Sequence, residues 1–174
     1  PVREAFIKLA NEGLLEVRPQ RGTFVAKISL QAVMDARFVR EAVEADIVKL
    51  LAQSPDQTLV TELRAQLVCQ EKLVGGSARD FMEADEIFHR TLAEGADKGK
   101  AWRVVVEMKA QMDRVRFLSS MHFPVDRLIA QHRAVVEAIA DGDAIQAEQS
   151  MRGHLRGILS DLPVIEQERP EYFL

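Results

Sequence analysis

The stretch AQHRAVVEAIADGDAIQAEQSMRGHL, Ala130–Leu155, reads as two helices separated by a tight turn. Pro124 opens the first of them and Gly142 stops it; Asp143 with Gln146 then makes a capping-box-like start for the second. In the first helix His132 lies on the same side as Val135, Val136 and Ile139. In the second, His154 sits beside Met151, Leu155 and Ile158. Two amphipathic helices joined this closely pack antiparallel, and each carries an imidazole among its core-facing residues.

The same pattern extends outward through most of the chain. Ser29 caps a long helix running to Gln53, with Ala32, Val33, Ala36, Val39, Val43, Ile47, Leu50 and Leu51 as its apolar stripe. Ser54-Pro55 starts the next helix, which ends at Gly75-Gly76, and Ser77 caps another. A loop over 95–99 leads into a helix over 100–121, and the helices that begin at Pro124 and Asp143 follow. The expectation is mainly α: an antiparallel bundle of about six helices over residues 29–162, with a Pro/Glu-rich tail over 163–174 that wraps the surface or frays.

Residues 1–28 read differently. A short helix with Val2, Ala5, Phe6 and Leu9 on one face closes at Asn11-Glu12-Gly13. Two β-prone runs, Leu14–Arg18 and Thr23–Lys27, then flank Pro19-Gln20-Arg21-Gly22, a hairpin signal. Helix followed by hairpin is the back half of a winged helix-turn-helix.

Composition narrows the function classes. With 47% hydrophobic residues in 174, the chain can bury a core, and every apolar run is interrupted well short of a membrane span. The single cysteine, Cys69, rules out an internal disulfide framework and suits a reducing cytoplasm. Net charge is −4, unevenly spread. Residues 1–27 hold five basic side chains (Arg3, Lys8, Arg18, Arg21, Lys27) against three acidic ones (Glu4, Glu12, Glu16), so the remainder carries −6. The asymmetry points to two jobs in one chain.

The chemistry-bearing residues converge by type. In DEIFHRTL, Asp85–Leu92, an acid and an imidazole stand four apart and so share a helix face. With His132 and His154 they make one carboxylate and three imidazoles on three helices, all among core residues. Each histidine alone reads more simply as a core or boundary residue. Burying all of them unpaired would cost several kcal/mol, and a divalent metal bound by all four offsets that cost.

Together, DEIFHRTL, AQHRAVVEAIADGDAIQAEQSMRGHL and RFVREAVEADIVKLLA (Arg37–Ala52) resemble the FCD ligand-sensing domain of FadR-type GntR transcriptional regulators. PVREAFIKLANEGLLEVRPQRGTFVA (Pro1–Ala26) resembles the recognition helix and wing of the GntR winged domain. The resemblance implies a DNA-binding regulator, not an enzyme, that works as a cytoplasmic homodimer on operator DNA. Its ligand set falls on Asp85, His89, His132 and His154; ligand type ranks zinc first, with nickel or manganese as alternatives. His122 matches no ligand position and reads as solvent-facing.

It further implies a small organic acid effector held by Arg40, with Arg114 and Arg116 as further candidates, and DNA contacts from Arg3, Arg21 and Gly22. A surface ion pair with Glu44 is the simpler role for Arg40. The two helices that precede a recognition helix in that family are not among these residues, so this chain alone is expected to bind an operator poorly. The alternative from another class is a helical metalloenzyme, a hydrolase or lyase using the same site. Against it, Glu86, the nearest potential base, should face away from the ligands.

Overall fold

Helix α1 (Val2–Asn11) and the antiparallel pair β1 (Leu15–Arg18) and β2 (Gly22–Val25) open the computed structural model, which describes residues 1–174. The strands pair from Leu15↔Val25 to Arg18↔Gly22. Gly22, at φ +108°, supplies a turn conformation that a side chain would disfavour. The whole N-terminal unit is thinly covered: α1 buries none of its residues. It is tied to the rest of the chain by Gln111, which donates to the Gly13 carbonyl, and by Arg114, whose Nη1 donates to the Ala26 carbonyl at 2.7 Å.

Eight helices follow: α2 (Leu30–Gln53), α3 (Gln57–Lys72), α4 (Ala78–Gly95), α5 (Gly99–Met108), α6 (Ala110–His122), α7 (Asp126–Ala140), α8 (Ala144–Arg156) and α9 (Ile158–Glu168). The caps form largely where expected. Ser29, Ser77 and Asp143 accept from the backbone N–H three residues on, at 3.3, 3.4 and 2.9 Å. One start shifts: Asp56, not Pro55, begins α3, its carboxylate accepting from Thr58 N at 2.7 Å. Gly142, at φ +73°, ends α7 with Asp143 N–H returning to Ala138 O, so the α7–α8 turn closes as the sequence implies.

The count is eight rather than six because two of the expected helices are each broken once. The helix expected over 100–121 is interrupted at Lys109, and the last one at Gly157. Both breaks fall where the chain passes from one part of the core to the other. Trp102 and Val105 of α5, with Ala147, Met151 and Leu155 of α8, pack into a main core with α2, α3, α4 and α7. Met112 and Val115 of α6, with Leu162 and Ile165 of α9, pack into a smaller cluster around Ile28, Val33 and Ala36. Helix α2 alone runs through both, with Val33 and Ala36 in the smaller cluster and Ile47, Val48 and Leu51 in the main core, whereas α5 and α8 serve the main core and α6 and α9 the smaller one.

The C-terminal segment neither frays nor ends at Pro163. Helix α9 continues through that proline to Glu168, and a 3-10 turn over Pro170–Tyr172 returns the chain to the start of the bundle. There Ile28 N–H donates to Tyr172 O at 2.7 Å, Leu174 N–H donates to Ile28 O at 3.1 Å, and Phe173 is buried in the smaller cluster. Leu50, read as part of the apolar stripe, is instead 44% exposed, while Ala45 and Val48 of the same helix are fully buried.

Phe173→Ala should destabilise the protein by about 3 kcal/mol, the cost of emptying a buried phenylalanine site. Urea unfolding monitored by circular dichroism measures it; a frayed tail would give a change near zero.

Candidate metal centre

The polar residues of the main core gather at one point. Asp85 and His89 come from consecutive turns of α4, His132 from α7 and His154 from α8, and all four are buried. One potential ligand atom from each lies within 4.8 Å of all the others. His154 Nε2 is 3.3 Å from both His132 Nε2 and His89 Nε2. Asp85 reaches His89 Nε2 and His132 Nε2 at 3.6 Å.

The other ring nitrogens decide what this cluster is. His132 Nδ1 is 2.9 Å from Gln70 Oε1, and His154 Nδ1 is 3.1 Å from Gln131 Oε1. Gln70 Nε2 donates to the Ala84 carbonyl at 3.3 Å, which fixes the orientation of its amide. Glu44 Oε2 lies 2.5 Å from His89 Nδ1, in close ionic contact though off the line of a hydrogen bond. With Gln70 and Gln131 oxygens accepting at Nδ1 of His132 and His154, the proton of each ring sits there and leaves its Nε2 as a lone pair, and the Nε2 atom of His89 faces the same point.

Burial pushes the His132 imidazole down to about 3, against the opposing pull of Asp85. Burial, reinforced by the neighbouring imidazoles, likewise holds His154 well below its ordinary value. At neutral pH both are therefore uncharged bases. Burial raises the Asp85 carboxyl, but the Arg116 guanidinium and the surrounding imidazoles outweigh it and keep the group ionised. Asp85 Oδ1 is a buried oxygen with no hydrogen-bond partner.

A cation fits this arrangement on three counts: an orphaned carboxylate oxygen, converging lone pairs, and spacing. Two Zn–N bonds of about 2.0–2.1 Å at a tetrahedral angle put their nitrogens about 3.3–3.4 Å apart, the separation found between the imidazoles. The outer partners Glu44, Gln70 and Gln131 supply the second layer that metal-binding histidines ordinarily carry. Sequence reasoning missed them. Gln70 left a signal, a polar residue continuing the Leu59–Leu63–Leu67 stripe of α3; Gln131 left none.

A cavity of about 40 Å³ adjoins Asp85 and His154. It has room for about three waters. The candidate effector residues divide here. Arg40 and Arg116 line the cavity; Arg114 does not, since it reaches the wing. Arg40 is 2% exposed and forms the i,i+4 pair with Glu44 through Nε at 2.5 Å, so that pair is buried, not superficial. Burial pushes Glu44 up, yet Arg40 and His89 together bring it to about 2. Arg116 binds both Asp85 and, at 3.1 Å, Asp113. Glu86 pairs with Lys109 at 2.9 Å instead of approaching the ligands, and His122 lies apart, 3.2 Å from Glu168. Arg3, Arg21 and Gly22 are all exposed.

The buried imidazoles make stability pH-dependent. In the unfolded chain they take up protons near pH 6.5, while in the fold His132 resists protonation until about 3. The unfolded state therefore binds more protons in between. Metal-free protein should lose stability as pH falls from about 6.5 towards 3, by up to roughly 1.4 kcal/mol per pH unit for each such group. Denaturant titrations at pH 7, 6 and 5 check this; His132→Gln should flatten the slope.

Comparison with known proteins places the chain. Residues 35–157 match the FCD domain family. The HTH-type transcriptional repressor RspR of Escherichia coli K12 is 38% identical over 180 residues, covering 99% of this chain and 77% of that protein. An HTH-type regulator encoded in an unstable DNA locus of Streptomyces ambofaciens is also 38% identical, over 99% of this chain and 73% of its own. Among solved structures, E. coli McbR/YncC shares the fold with a TM-score of 0.76 at 12% identity, over 95% of this chain and 83% of its own. A GntR family regulator from Pseudomonas syringae pv. tomato DC3000 does so at 0.64 and 21%, over 98% and 73%. The FCD domain is regulatory and the relatives are named as repressors and regulators, which sets the metalloenzyme alternative aside. The chain belongs to the FCD domain family and to the HTH-type transcriptional regulators, and is not an enzyme.

Proposed function

We propose that the helical bundle is a metal-dependent sensor for a small organic acid. Asp85, His89, His132 and His154 hold a divalent ion, zinc by preference of the donor set, with nickel or manganese as alternatives. The observation that carries this reading is the convergence of three Nε2 atoms and the orphaned Asp85 oxygen on one buried point. Four protein ligands leave room in an expanded coordination shell for a carboxylate arriving through the adjoining cavity. Arg40, buried, and Arg116, 13% exposed, line that cavity and would orient it.

The N-terminal unit is the DNA-facing part. Arg3 on the exposed face of α1 suits a base or phosphate in the major groove, and Arg21 with Gly22 at the hairpin tip suits the adjacent backbone or minor groove. A homodimer would set two such units at the spacing of operator half-sites. Effector binding changes operator affinity by favouring one of two dimer geometries, for which a few kcal/mol of differential binding suffices.

Two measurements test the reading. Zinc at a hundredfold excess over its dissociation constant should stabilise the protein by about 2.7 kcal/mol, or about 5–10 °C in Tm. Asp85→Ala and His132→Ala should abolish that shift. In a protein carrying the whole winged domain, Arg3→Ala should weaken operator binding about 10-fold or more, seen by fluorescence anisotropy at fixed salt. Unchanged operator affinity would remove α1 from the DNA contact.

A further inference from the structure

The short joint between the N-terminal unit and the bundle, Ala26 to Ser29, is tied down along most of its length. Arg114 of α6 donates to the Ala26 carbonyl at 2.7 Å. Ile28, 1% exposed, has both backbone groups bonded to the C-terminal segment. Its N–H donates to Tyr172 O at 2.7 Å, and its carbonyl accepts from Leu174 N–H at 3.1 Å. Ser29 then caps α2. Without such bonds these residues would keep their backbone freedom and act as a pivot.

The unit beyond the joint has little burial to hold it. Helix α1 buries none of its residues, and both strands are largely exposed. A further tie is Gln111 of α6, 6% exposed, which donates to the Gly13 carbonyl. Gly13 suits that seat: its φ is +70°, and a Cβ there would meet Gln111 Nε2 at 3.3 Å. Arg114 has uncharged acceptors, the Ala26 carbonyl and, at 3.5 Å, Gln111 Oε1. Burial pushes its guanidinium down, with no carboxylate to offset the cost. A half-buried cation set among carbonyls serves the joint, not a salt bridge.

The tie from the C-terminal segment differs from the others in resting on one side chain. The 3-10 turn over Pro170–Tyr172 buries none of its residues, and Tyr172 and Leu174 are 42% and 82% exposed. Phe173 alone anchors the segment, in one cluster with Met112 and Val115 of α6. The two bonds to Ile28 come from the residues on either side of that ring, so its withdrawal releases both together. Helix α6 thus seats Phe173 with one face and reaches the N-terminal unit with another.

We propose that Pro170–Leu174 is a releasable strap which, with Gln111 and Arg114, locks residues 1–28 on the bundle in one orientation. Seating or withdrawing Phe173 switches that unit between a held and a free state. That the held unit faces DNA rests on the reading given above; the strap does not.

Paired nitroxide labels measure the orientation. One goes on Cys69, the single cysteine, exposed on α3; the other goes on α1 through Lys8→Cys, at a side chain that is 78% exposed. Double electron–electron resonance on labelled chains diluted into unlabelled protein should give one narrow distance. Deleting residues 170–174 should roughly double the width of the distribution while helical circular dichroism is retained. Gln111→Ala combined with Arg114→Met, which leaves both apolar clusters intact, should broaden it likewise. Equal widths with and without the strap overturn the proposal. A broad distribution in the otherwise unaltered chain also overturns it, whether or not any variant folds. In a protein carrying the whole winged domain, the strapless form should bind operator about fivefold more weakly, because a free unit loses more motion on binding. A loosened unit with unchanged operator affinity would support the strap and contradict the DNA-facing reading.

Discussion

Three imidazole nitrogens facing one another inside an apolar core is an arrangement that needs a reason. Lone pairs at 3.3 Å repel, yet two of the rings, His132 and His154, are held in place by an outer amide acceptor on the far nitrogen. The helices that bring them together could have placed leucine at any of these positions at no electrostatic cost. A cation at the point of convergence would turn the repulsion into coordination. The rest of the site follows from that: the ionised Asp85, the Arg116 that partners it, and the Glu44–Arg40 pair behind His89.

The surrounding architecture explains how such a site is kept rigid yet connected. The main core clamps α4, α7 and α8, which carry the four candidate ligands, while the smaller core forms around α6, α9 and the start of α2. Helix α6 lies between them. It directs Arg116 into the cavity, Lys109 towards Glu86 of α4, and Gln111 and Arg114 to the backbone of the N-terminal unit. The interruption at Lys109 separates this helix from α5 and lets it serve the second core.

Much of this was legible in the sequence because it rests on local rules. The caps at Ser29, Ser77 and Asp143 and the stop at Gly142 are short-range chemistry, and each forms where those residues stand. The Asp85/His89 spacing fixes a shared face on one helix, and His132 and His154 announce themselves as polar residues in apolar stripes. What the sequence did not disclose depends on tertiary contacts. The breaks at Lys109 and Gly157 coincide with the division of the core, and Phe173 is anchored by Ile28 from the other end of the chain. Arg114 and Arg116, two residues apart, differ in role only because a helix turns them to different neighbours. Asp161 sat in plain view between Ile158, Leu162 and Ile165, but its partners come from α6 and α7.

The central claim is that one divalent ion is held by three imidazoles and one carboxylate. X-ray absorption at the zinc edge, on protein loaded with one equivalent of zinc and dialysed, tests it most directly. The account predicts a first shell of light atoms at about 2.0–2.1 Å with outer-shell scattering from three imidazole rings and no sulfur. A sulfur neighbour, fewer than three imidazoles, or zinc lost on dialysis would contradict it.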